Sequence, residues 1–222
     1  MDISSALLLA ALQLQQTAPM TFGSSGEPVR YVVLGDSTAA GVGAAAEDGI
    51  AIRTARHLGL SRRVSMRNLG VSGARMRDVL EQQLPEAEAF VPDLVLISAG
   101  ANDVTHLTPI PSMRRRLRQT VSRLRASSPS VRIVVTGAPD MGSPPRIPIG
   151  LRWAAGLRTR MVNRMFRTEA QKLGIVFAPI AERTGRLFRS DRTLFHADRF
   201  HPNARGYATW IPVLIEGLAA ER

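Results

Sequence analysis

Cysteine is absent from this chain of 222 residues. Its absence excludes a disulfide framework and any zinc site built on thiolates, and it leaves the cellular compartment undecided. No stretch reaches the ~20 apolar residues that a membrane-spanning helix needs. Lysine is scarce too, because Lys172 is the single lysine and arginine supplies the rest of the 29 basic residues. What remains is an arginine-rich chain whose function must be inferred from its polar motifs.

The composition is that of one globular domain. A length of 222 residues is enough for a full hydrophobic core, and no second domain is needed. Hydrophobic content of 45% and charged content of 21% are ordinary for such a domain. The formal net charge of +11 raises the question of an anionic partner, either nucleic acid or a membrane surface.

The densest run of basic residues lies between positions 114 and 125. Leu117, Val121 and Leu124 recur within it at helical spacing, which predicts an amphipathic helix with a basic, solvated outer face. No aromatic side chains alternate with these arginines, as they do in many proteins that bind single strands. We therefore expect no nucleic-acid partner, with a specific polyanion or lipid contact of this face as the alternative.

The first 28 residues are predicted to form a separate N-terminal segment, followed by one domain over residues 29–222. Residues 6–14 are about as apolar and as long as the core of a secretion signal. Asp2, however, stands where such signals are basic, and no small-x-small cleavage site follows. The alternative is a terminal helix, and residues 17–27 are predicted to form a linker or a loop. The sequence slightly favours the cytoplasm, with secretion as the alternative if residues 1–20 act as a signal.

Short β-rich runs alternate with longer helical patterns along the rest of the chain. The predicted strands are mostly continuous apolar runs, typical of strands covered on both faces, at residues 30–34, 63–69, 93–98, 131–136 and 174–179. The predicted helices span residues 50–58, 76–83, 113–126, 151–173 and 204–219. This alternation predicts parallel strands joined by right-handed crossovers, in a three-layer α/β/α sandwich with about five strands.

Four polar segments follow predicted strands directly. They are Gly35-Asp36-Ser37, Ser72-Gly73, Gly100-Ala101-Asn102-Asp103 and residues 137–140. Because ligands bind beyond the carboxyl ends of parallel strands, we expect these segments to meet at one site. The long irregular connection over residues 139–145 either shapes a substrate pocket there or is a surface turn.

Ser37 is the candidate nucleophile. A serine hydroxyl attacks well only when a neighbouring base takes its proton. Ser37 ends a buried strand, and the small residues after it allow the backbone to bend sharply and a substrate to approach. The structural alternative is a serine that caps the next helix.

His201 is the candidate base. Asp198, three residues earlier, is near enough to hold one ring nitrogen, which leaves the other nitrogen to face the serine. The structural alternative is a helix-capping aspartate and a surface histidine. Among the competitors, His57 is expected on a helix surface, and neither His106 nor His196 has the Asp-x-x-His-Pro setting.

Three groups are candidate donors to the negative charge that grows on an attacked carbonyl. They are the backbone N–H groups of Ser37 and Gly73 and the side-chain amide of Asn102. Gly73 has no Cβ to keep a substrate away from the backbone. The structural alternatives are an ordinary strand-to-helix turn for Gly73 and a bond within its own loop for Asn102.

Together, these segments resemble the four sequence blocks of the SGNH hydrolases, also called the GDSL esterase/lipase family. The resemblance spans residues 30–219 and rests on Gly35-Asp36-Ser37, Gly73 within residues 68–73, Gly100-Ala101-Asn102-Asp103 and Asp198-Arg199-Phe200-His201-Pro202. The family's first block often continues as Gly-Asp-Ser-x-(Ser/Thr)-x-Gly. Here Thr38-Ala39-Ala40-Gly41 keeps the glycine but shifts the hydroxyl, which affects the turn and not the chemistry.

The resemblance implies a flavodoxin-like fold, with residues 29–222 as the hydrolase domain, and ester hydrolysis without a metal or another cofactor. It implies Ser37 as the nucleophile, His201 as the base and Asp198 as the group that orients it. Ser37, Gly73 and Asn102 would form the oxyanion hole.

The expected substrate is a carboxylic ester, either a small molecule or a lipid. Short acyl chains are favoured because the loops between the blocks are mostly short and no cap domain is visible. One alternative is an acyltransferase that uses the same triad with a sugar or alcohol acceptor. A non-catalytic binding module is the third interpretation, and the complete triad argues against it.

Overall fold

A mixed sheet of six strands lies at the centre of the computed structural model, which describes residues 19–220. The strands in chain order are β1 (Met20–Phe22), β2 (Pro28–Gly35), β3 (Arg63–Asn68), β4 (Leu94–Ser98), β5 (Arg132–Val135) and β6 (Val176–Phe177). Their order across the sheet is β1-β3-β2-β4-β5-β6. All neighbouring pairs are parallel except β1 and β3. The predicted parallel α/β sheet is confirmed, with an antiparallel edge strand added.

The α-helices are α1 (Ser37–Ala40), α2 (Ile50–Leu58), α3 (Met76–Asp78), α4 (Leu84–Phe90), α5 (Ala101–Thr105), α6 (Ile110–Ser127), α7 (Ile149–Leu173), α8 (Ile180–Ser190) and α9 (Ala204–Ala219). Short 3₁₀ turns occur at Ala46–Asp48 and Arg192–Leu194. The last predicted helix matches α9 at both ends, whereas α8 was absent from the prediction.

The predicted helix over residues 76–83 is the least regular helical segment. After α3, the chain widens into a π-helical turn over Val79–Gln83 and then continues as α4 to Phe90. Pro85 lies at the start of α4, where a proline is tolerated because the first N–H groups of a helix need no partner within it. The helical segment therefore extends beyond the predicted end at residue 83.

Helices cover both faces of the sheet and make two hydrophobic cores. Along β2, Tyr31 and Val33 pack on one face with α2, α8 and α9, while Val32 and Leu34 pack on the other with α3, α4, α6 and α7. This alternation follows from the two-residue period of a strand. The predicted three-layer α/β/α sandwich is therefore confirmed.

Strand β1 lies in the segment that the sequence assigned to a linker. Met20 and Phe22 pair with Met66 and Val64 of β3, so the linker prediction is wrong for these residues. Sequence patterning missed β1 because the strand is only three residues long and mostly exposed. The predicted signal or terminal helix lies outside the described residues. Within residues 19–220, no helix has the length and apolar character needed to span a membrane.

The basic run of the sequence lies on α6. Met113, Leu117, Val121 and Leu124 are buried, so the predicted amphipathic helix is confirmed. On its outer side, Arg118 donates to the buried carboxylate of Glu169 at 2.6 Å, and other arginines of the run also pair with carboxylates. These ion pairs partly neutralise the basic face.

If β1 is left out and the other five strands are renumbered 1 to 5 in chain order, their order across the sheet is 2-1-3-4-5. This is the order of flavodoxin-like sheets. In this order, the connections leave β2 and β4, which are neighbours, toward opposite faces. The carboxyl ends of these two strands therefore border a crevice in which such folds bind ligands. Ser37 follows β2, and Asn102 follows β4.

Candidate active site

The turn that carries Ser37 is formed by a glycine and an aspartate. Gly35 ends β2 with φ +143°, and a Cβ at this position would lie 1.8 Å from the carbonyl oxygen of Ser98, so only glycine fits. Asp36 is the N-cap of α1, and its Oδ1 accepts from the N–H and the hydroxyl of Thr38. Ser37 is thus the first residue of α1 and does not cap it.

A side-chain amide fixes this turn from the other side. Gln83, in the π-helical turn, accepts from the N–H of Gly35 through Oε1 and donates to its carbonyl through Nε2, both at 2.8 Å. Gln83 therefore acts like one more strand residue beside the end of β2. Gly35 is buried, and the amide of Gln83 satisfies its N–H and shares its carbonyl with the N–H of Val71.

The predicted base reaches Ser37 from a loop near the carboxyl terminus. The Nε2 atom of His201 is 2.9 Å from Ser37 Oγ, and its Nδ1 atom is 2.6 Å from Asp198 Oδ2. A carboxylate can only accept, so Nδ1 carries the proton and Nε2 of the neutral ring accepts from the serine hydroxyl. The structure brings the three side chains together in the hydrogen-bonded order that a triad requires.

The loop itself holds Asp198 in place. Asp198 Oδ1 accepts from the backbone N–H groups of Phe200 and His201, and Arg199 between them adopts a left-handed φ of 61°. Partial burial would raise the pKa of Asp198, but the bonds from the His201 ring and the two N–H groups outweigh it and lower the pKa to about 2. Asp198 is therefore a carboxylate at neutral pH, able to stabilise an imidazolium.

The other histidines do not reach Ser37. His106 Nδ1 lies 2.8 Å from the carbonyl oxygen of Asn102, on the exposed end of α5. His196 lies beside the triad, but its Nδ1 atom accepts from the backbone N–H of Asp198 at 3.3 Å. His57 lies in the last turn of α2. Among residues 19–220, His201 is the histidine that bonds Ser37.

Two adjacent side chains of α5 hold the loop that carries Gly73. Asn102 Nδ2 donates to the carbonyl of Ala74 at 3.0 Å, and Asp103 Oδ2 accepts from the N–H of Met76 at 2.9 Å. Burial raises the pKa of Asp103 despite these contacts. The loop after β3 and the loop after β4 are thereby fixed to each other.

The three candidate oxyanion donors remain available. Among residues 19–220, no acceptor engages the backbone N–H of Ser37 or of Gly73. Asn102 uses one amide hydrogen on Ala74, and its amide group carries a second. Gly73 has φ +84° and no heavy atom within 4 Å of the position a Cβ would take. A substrate oxygen can therefore approach this backbone without a steric obstacle.

A small cavity opens beside Ser37 and His201. Its walls are largely apolar and include Met141, Pro144, Phe188, Phe195, Phe200 and Trp210. Pro139, Asp140 and Ser143 also line it, so the irregular connection over residues 139–145 shapes this pocket and is not merely a surface turn. Within the described part of the chain, no group of three or more histidines and carboxylates is arranged to hold a metal ion.

Sequence reasoning assigned no role to three residues that support the site, although it placed Asp103 in a segment expected there. Gln83 pairs with Gly35, Asp103 anchors the loop of Gly73, and Asn163 binds both backbone groups of Ala138 at 2.9 Å, just before the cavity wall. Gln83 carried a weak signal, since it is a polar residue seven positions after the buried Met76 on the same helical face. Asn163 likewise interrupts an apolar stripe.

Comparison with known proteins places this geometry in a family. A family model described as the GDSL-like Lipase/Acylhydrolase family matches residues 33–209. A curated relative, the GDSL-like esterase Rv1075c of Mycobacterium tuberculosis (strain ATCC 25618 / H37Rv), is 34% identical over 187 residues. The match covers 81% of this chain and 58% of the relative, so the chain spans less than two thirds of that protein's length.

Solved structures share the fold at lower sequence identity. A member of the lipolytic protein G-D-S-L family from Veillonella parvula DSM 2008 has a TM-score of 0.69 at 15% identity, covering 84% of this chain and 96% of that one. An extracellular lipase from Streptomyces rimosus has a TM-score of 0.63 at 23% identity, with coverages of 85% and 99%.

Proposed function

The chain belongs to the GDSL-like lipase/acylhydrolase family, and we propose that it is a serine esterase that hydrolyses carboxylic esters through an acyl-enzyme on Ser37. The observation that carries this proposal is the 2.9 Å contact between Ser37 Oγ and His201 Nε2, with Asp198 Oδ2 at 2.6 Å from Nδ1. A serine becomes a nucleophile when a base accepts its proton in this way.

In the proposed reaction, Ser37 Oγ attacks the ester carbonyl carbon while His201 Nε2 takes its proton. The carbonyl oxygen becomes an oxyanion and accepts from Ser37 N–H, Gly73 N–H and the Asn102 amide. The tetrahedral intermediate collapses, and His201 protonates the leaving alcohol. Water then attacks the acyl-enzyme, gives one proton to His201, and releases the acid as Ser37 regains its hydrogen.

We propose that the enzyme prefers short acyl chains. The bulky side chains of Phe188 and Trp210 form part of the cavity walls and limit the length of chain that can enter. We propose that the acyl group lies in this cavity against the aromatic side chains. The substrate is a small-molecule or lipid ester with one short, apolar acyl chain.

A fluorophosphonate tests the nucleophile directly. Its phosphorus is attacked by an activated serine Oγ, fluoride leaves, and a stable covalent bond remains. In the wild-type chain, we expect the peptide that contains Ser37 to gain the mass of the label in mass spectrometry. In Ser37→Ala, we expect the same peptide to stay unlabelled. Ser72→Ala is the matched control, because Ser72 is an exposed serine on the neighbouring Gly73 loop, and it should label normally. Labelling of another serine, or none, would contradict the proposal.

A panel of esters with increasing acyl length then tests the substrate class. Activity should peak at short chains and fall as the chain outgrows the cavity. Asn102→Ala should lower kcat on the best ester by on the order of 10²–10³, the cost of one lost oxyanion donor. If an added sugar or alcohol captures the acyl group in preference to water, the chain is an acyltransferase with the same triad.

A further inference from the structure

Large apolar side chains are exposed along the first half of α7. Ile149 is 84% exposed, Trp153 73%, Leu157 37% and Met161 48%. These four follow one another at intervals of four residues, so they lie along one side of the helix. We call these four residues the α7 stripe. Large apolar side chains exposed together in this way often mark an interaction site.

The α7 stripe begins at the edge of the sheet that carries the candidate active site. The connection before α7 lines the cavity beside Ser37. Three residues before the stripe, the N–H of Arg146 donates to the carbonyl of Arg199, which lies between Asp198 and His201. The stripe and the mouth of the site therefore share one rim.

The surroundings of the stripe are strongly basic. Residues 141–168 contain six arginines and no acidic residue. Arg160 and Arg186 line a groove between α7 and α8, and Arg164 follows Arg160 by one helical turn. The acidic residues of this groove are already paired, Asp140 with Arg189 and Glu182 with Arg167. In the part of the chain that the structure describes, no carboxylate pairs with Arg160, Arg164 or Arg186.

From this combination we infer that the α7 stripe and the arginines beside it form a docking surface for membranes rich in anionic phospholipids. Exposed Trp, Leu, Ile and Met side chains enter the boundary between headgroups and acyl chains, and flanking arginines bind the phosphate groups, as in interfacial amphipathic helices. Charge complementarity selects this occupant, because a second copy of the chain would bring the same unpaired arginines against one another.

Trp153 allows the docking to be measured apart from any reaction. The chain has two tryptophans, and Trp210 is 2% exposed, so a change of emission on binding reports on Trp153. Full-length protein with Ser37→Ala is mixed with vesicles of equal parts phosphatidylcholine and phosphatidylglycerol, or of phosphatidylcholine alone. We expect co-sedimentation and a blue-shifted emission with the anionic vesicles, and much weaker binding to the neutral ones. Because this readout does not need turnover, it is independent of the proposed esterase activity.

Variants locate the surface. Arg160→Gln with Arg164→Gln should weaken binding roughly 25-fold, since each arginine near an anionic surface contributes about a factor of five. Leu157→Ser should weaken it as well. The control variants, Arg56→Gln with Arg62→Gln and Leu60→Ser, change exposed residues of the same types toward the opposite edge of the sheet and should bind as the unsubstituted chain does.

Three outcomes would overturn the inference. One is equal binding by the α7 variants and the controls, and another is vesicle binding without a shift of Trp153 emission. The third is a dimer in sedimentation that Leu157→Ser dissociates, since a second copy would then be the natural occupant of the stripe.

Discussion

Asp36, the residue before Ser37, caps a helix with its side chain, but burial disfavours the charged form of its carboxyl group. Its carboxyl group caps α1 through Thr38 and is completely buried. Burial raises the pKa of Asp36 to about 6, against the opposing effect of the N–H and hydroxyl groups of Thr38. An aspartate therefore occupies this position at the expense of stability near neutral pH.

We predict that Asp36→Asn removes a component of the pH dependence of folding. The unfolded carboxyl group ionises near its ordinary value of 3.8, while the folded one keeps its proton to about pH 6. The favourable contribution of Asp36 is thus complete below pH 3.8 and is lost as pH rises through 6, by roughly 3 kcal/mol. An asparagine can still accept from Thr38 through its amide oxygen but does not titrate.

The measurement is urea unfolding of the wild type and Asp36→Asn at intervals from pH 4 to pH 7. The variant should gain free energy of unfolding relative to the wild type across this range, by roughly the same 3 kcal/mol. Groups such as Asp198 titrate equally in both proteins and cancel. A difference that stays constant with pH would show that Asp36 is not protonated in the folded state in this range.

At the scale of elements, side-chain amides extend two strands at the rim of the site. Gln83 binds both backbone groups of Gly35 after β2, and Asn163 binds both backbone groups of Ala138 after β5. In both places the neighbouring strand has ended, so the amide replaces a missing ladder partner. The first pair lies two residues before Ser37, whereas the second supports the cavity wall.

We predict that Gln83→Leu and Asn163→Leu differ in activity more than in stability. Asn163→Leu leaves the N–H and the carbonyl of Ala138 without a partner, whereas Gln83→Leu leaves the N–H of Gly35 without one, since its carbonyl still accepts from Val71 N–H. The loss should cost about 1–3 kcal/mol of unfolding free energy for each unpaired group. Only Gln83→Leu releases the turn of Ser37, so kcat for ester hydrolysis should fall at least tenfold further in this variant. Urea unfolding and steady-state kinetics on a short-chain ester measure the two effects. Equal kcat values would mean that Gln83 supports the fold alone.

The elements that the sequence could predict are those with a repeated apolar pattern. The helix over residues 204–219 was predicted to the residue because buried side chains recur along its whole length. Helix α8 was missed because its inward face has only Ile180, Thr184, Gly185 and Phe188, two of which are not apolar. Strand β1 forms through its pairing with β3, which is distant in sequence, so a local sequence pattern does not predict it.

The candidate site also has a part that the sequence predicts and a part that it does not. Motifs predicted that Ser37 and His201 belong together, although 164 positions separate them, and the structure has them in contact. Their catalytic roles stay predictions until the label is mapped. The supports at Gln83 and Asn163 could not be predicted, because a single buried amide has no spacing rule and its partner is a backbone group in a distant strand.

At the scale of the whole molecule, the strand order explains why dispersed segments form one site. Parallel strands end at the same edge, so the segments after β2, β3 and β4 meet without any of them being neighbours in sequence. The α7 helix starts at that edge too, which is why the exposed stripe and the cavity share a rim. The same edge thus carries the candidate chemistry and the proposed lipid contact.

At the far edge of the sheet, β1 covers β3. Met20–Phe22 pair antiparallel with residues 64–66 of β3, and Phe22 packs against the core on the α2 face. Gly23 follows closely, since a Cβ there would lie 2.2 Å from the carbonyl of Arg62. These contacts place β1 in the folded unit, although the sequence put the start of the hydrolase domain at residue 29.

We predict that a chain beginning at Val29 is less stable than one beginning at Pro19 but equally active. Loss of the β1 ladder and of Phe22 burial should cost about 2 kcal/mol, or roughly 4–8 °C in Tm for a domain of this size. The exposed edge of β3 should also make the shorter chain more prone to aggregate. Its kcat/KM on a short-chain ester should hold within about twofold, because the residues of β3 that pair with β1 end at Met66, before the loop that carries Gly73. Calorimetry and kinetics on both chains measure these quantities. If kcat/KM of the shorter chain fell together with its Tm, the active form of the hydrolase domain would have to include β1.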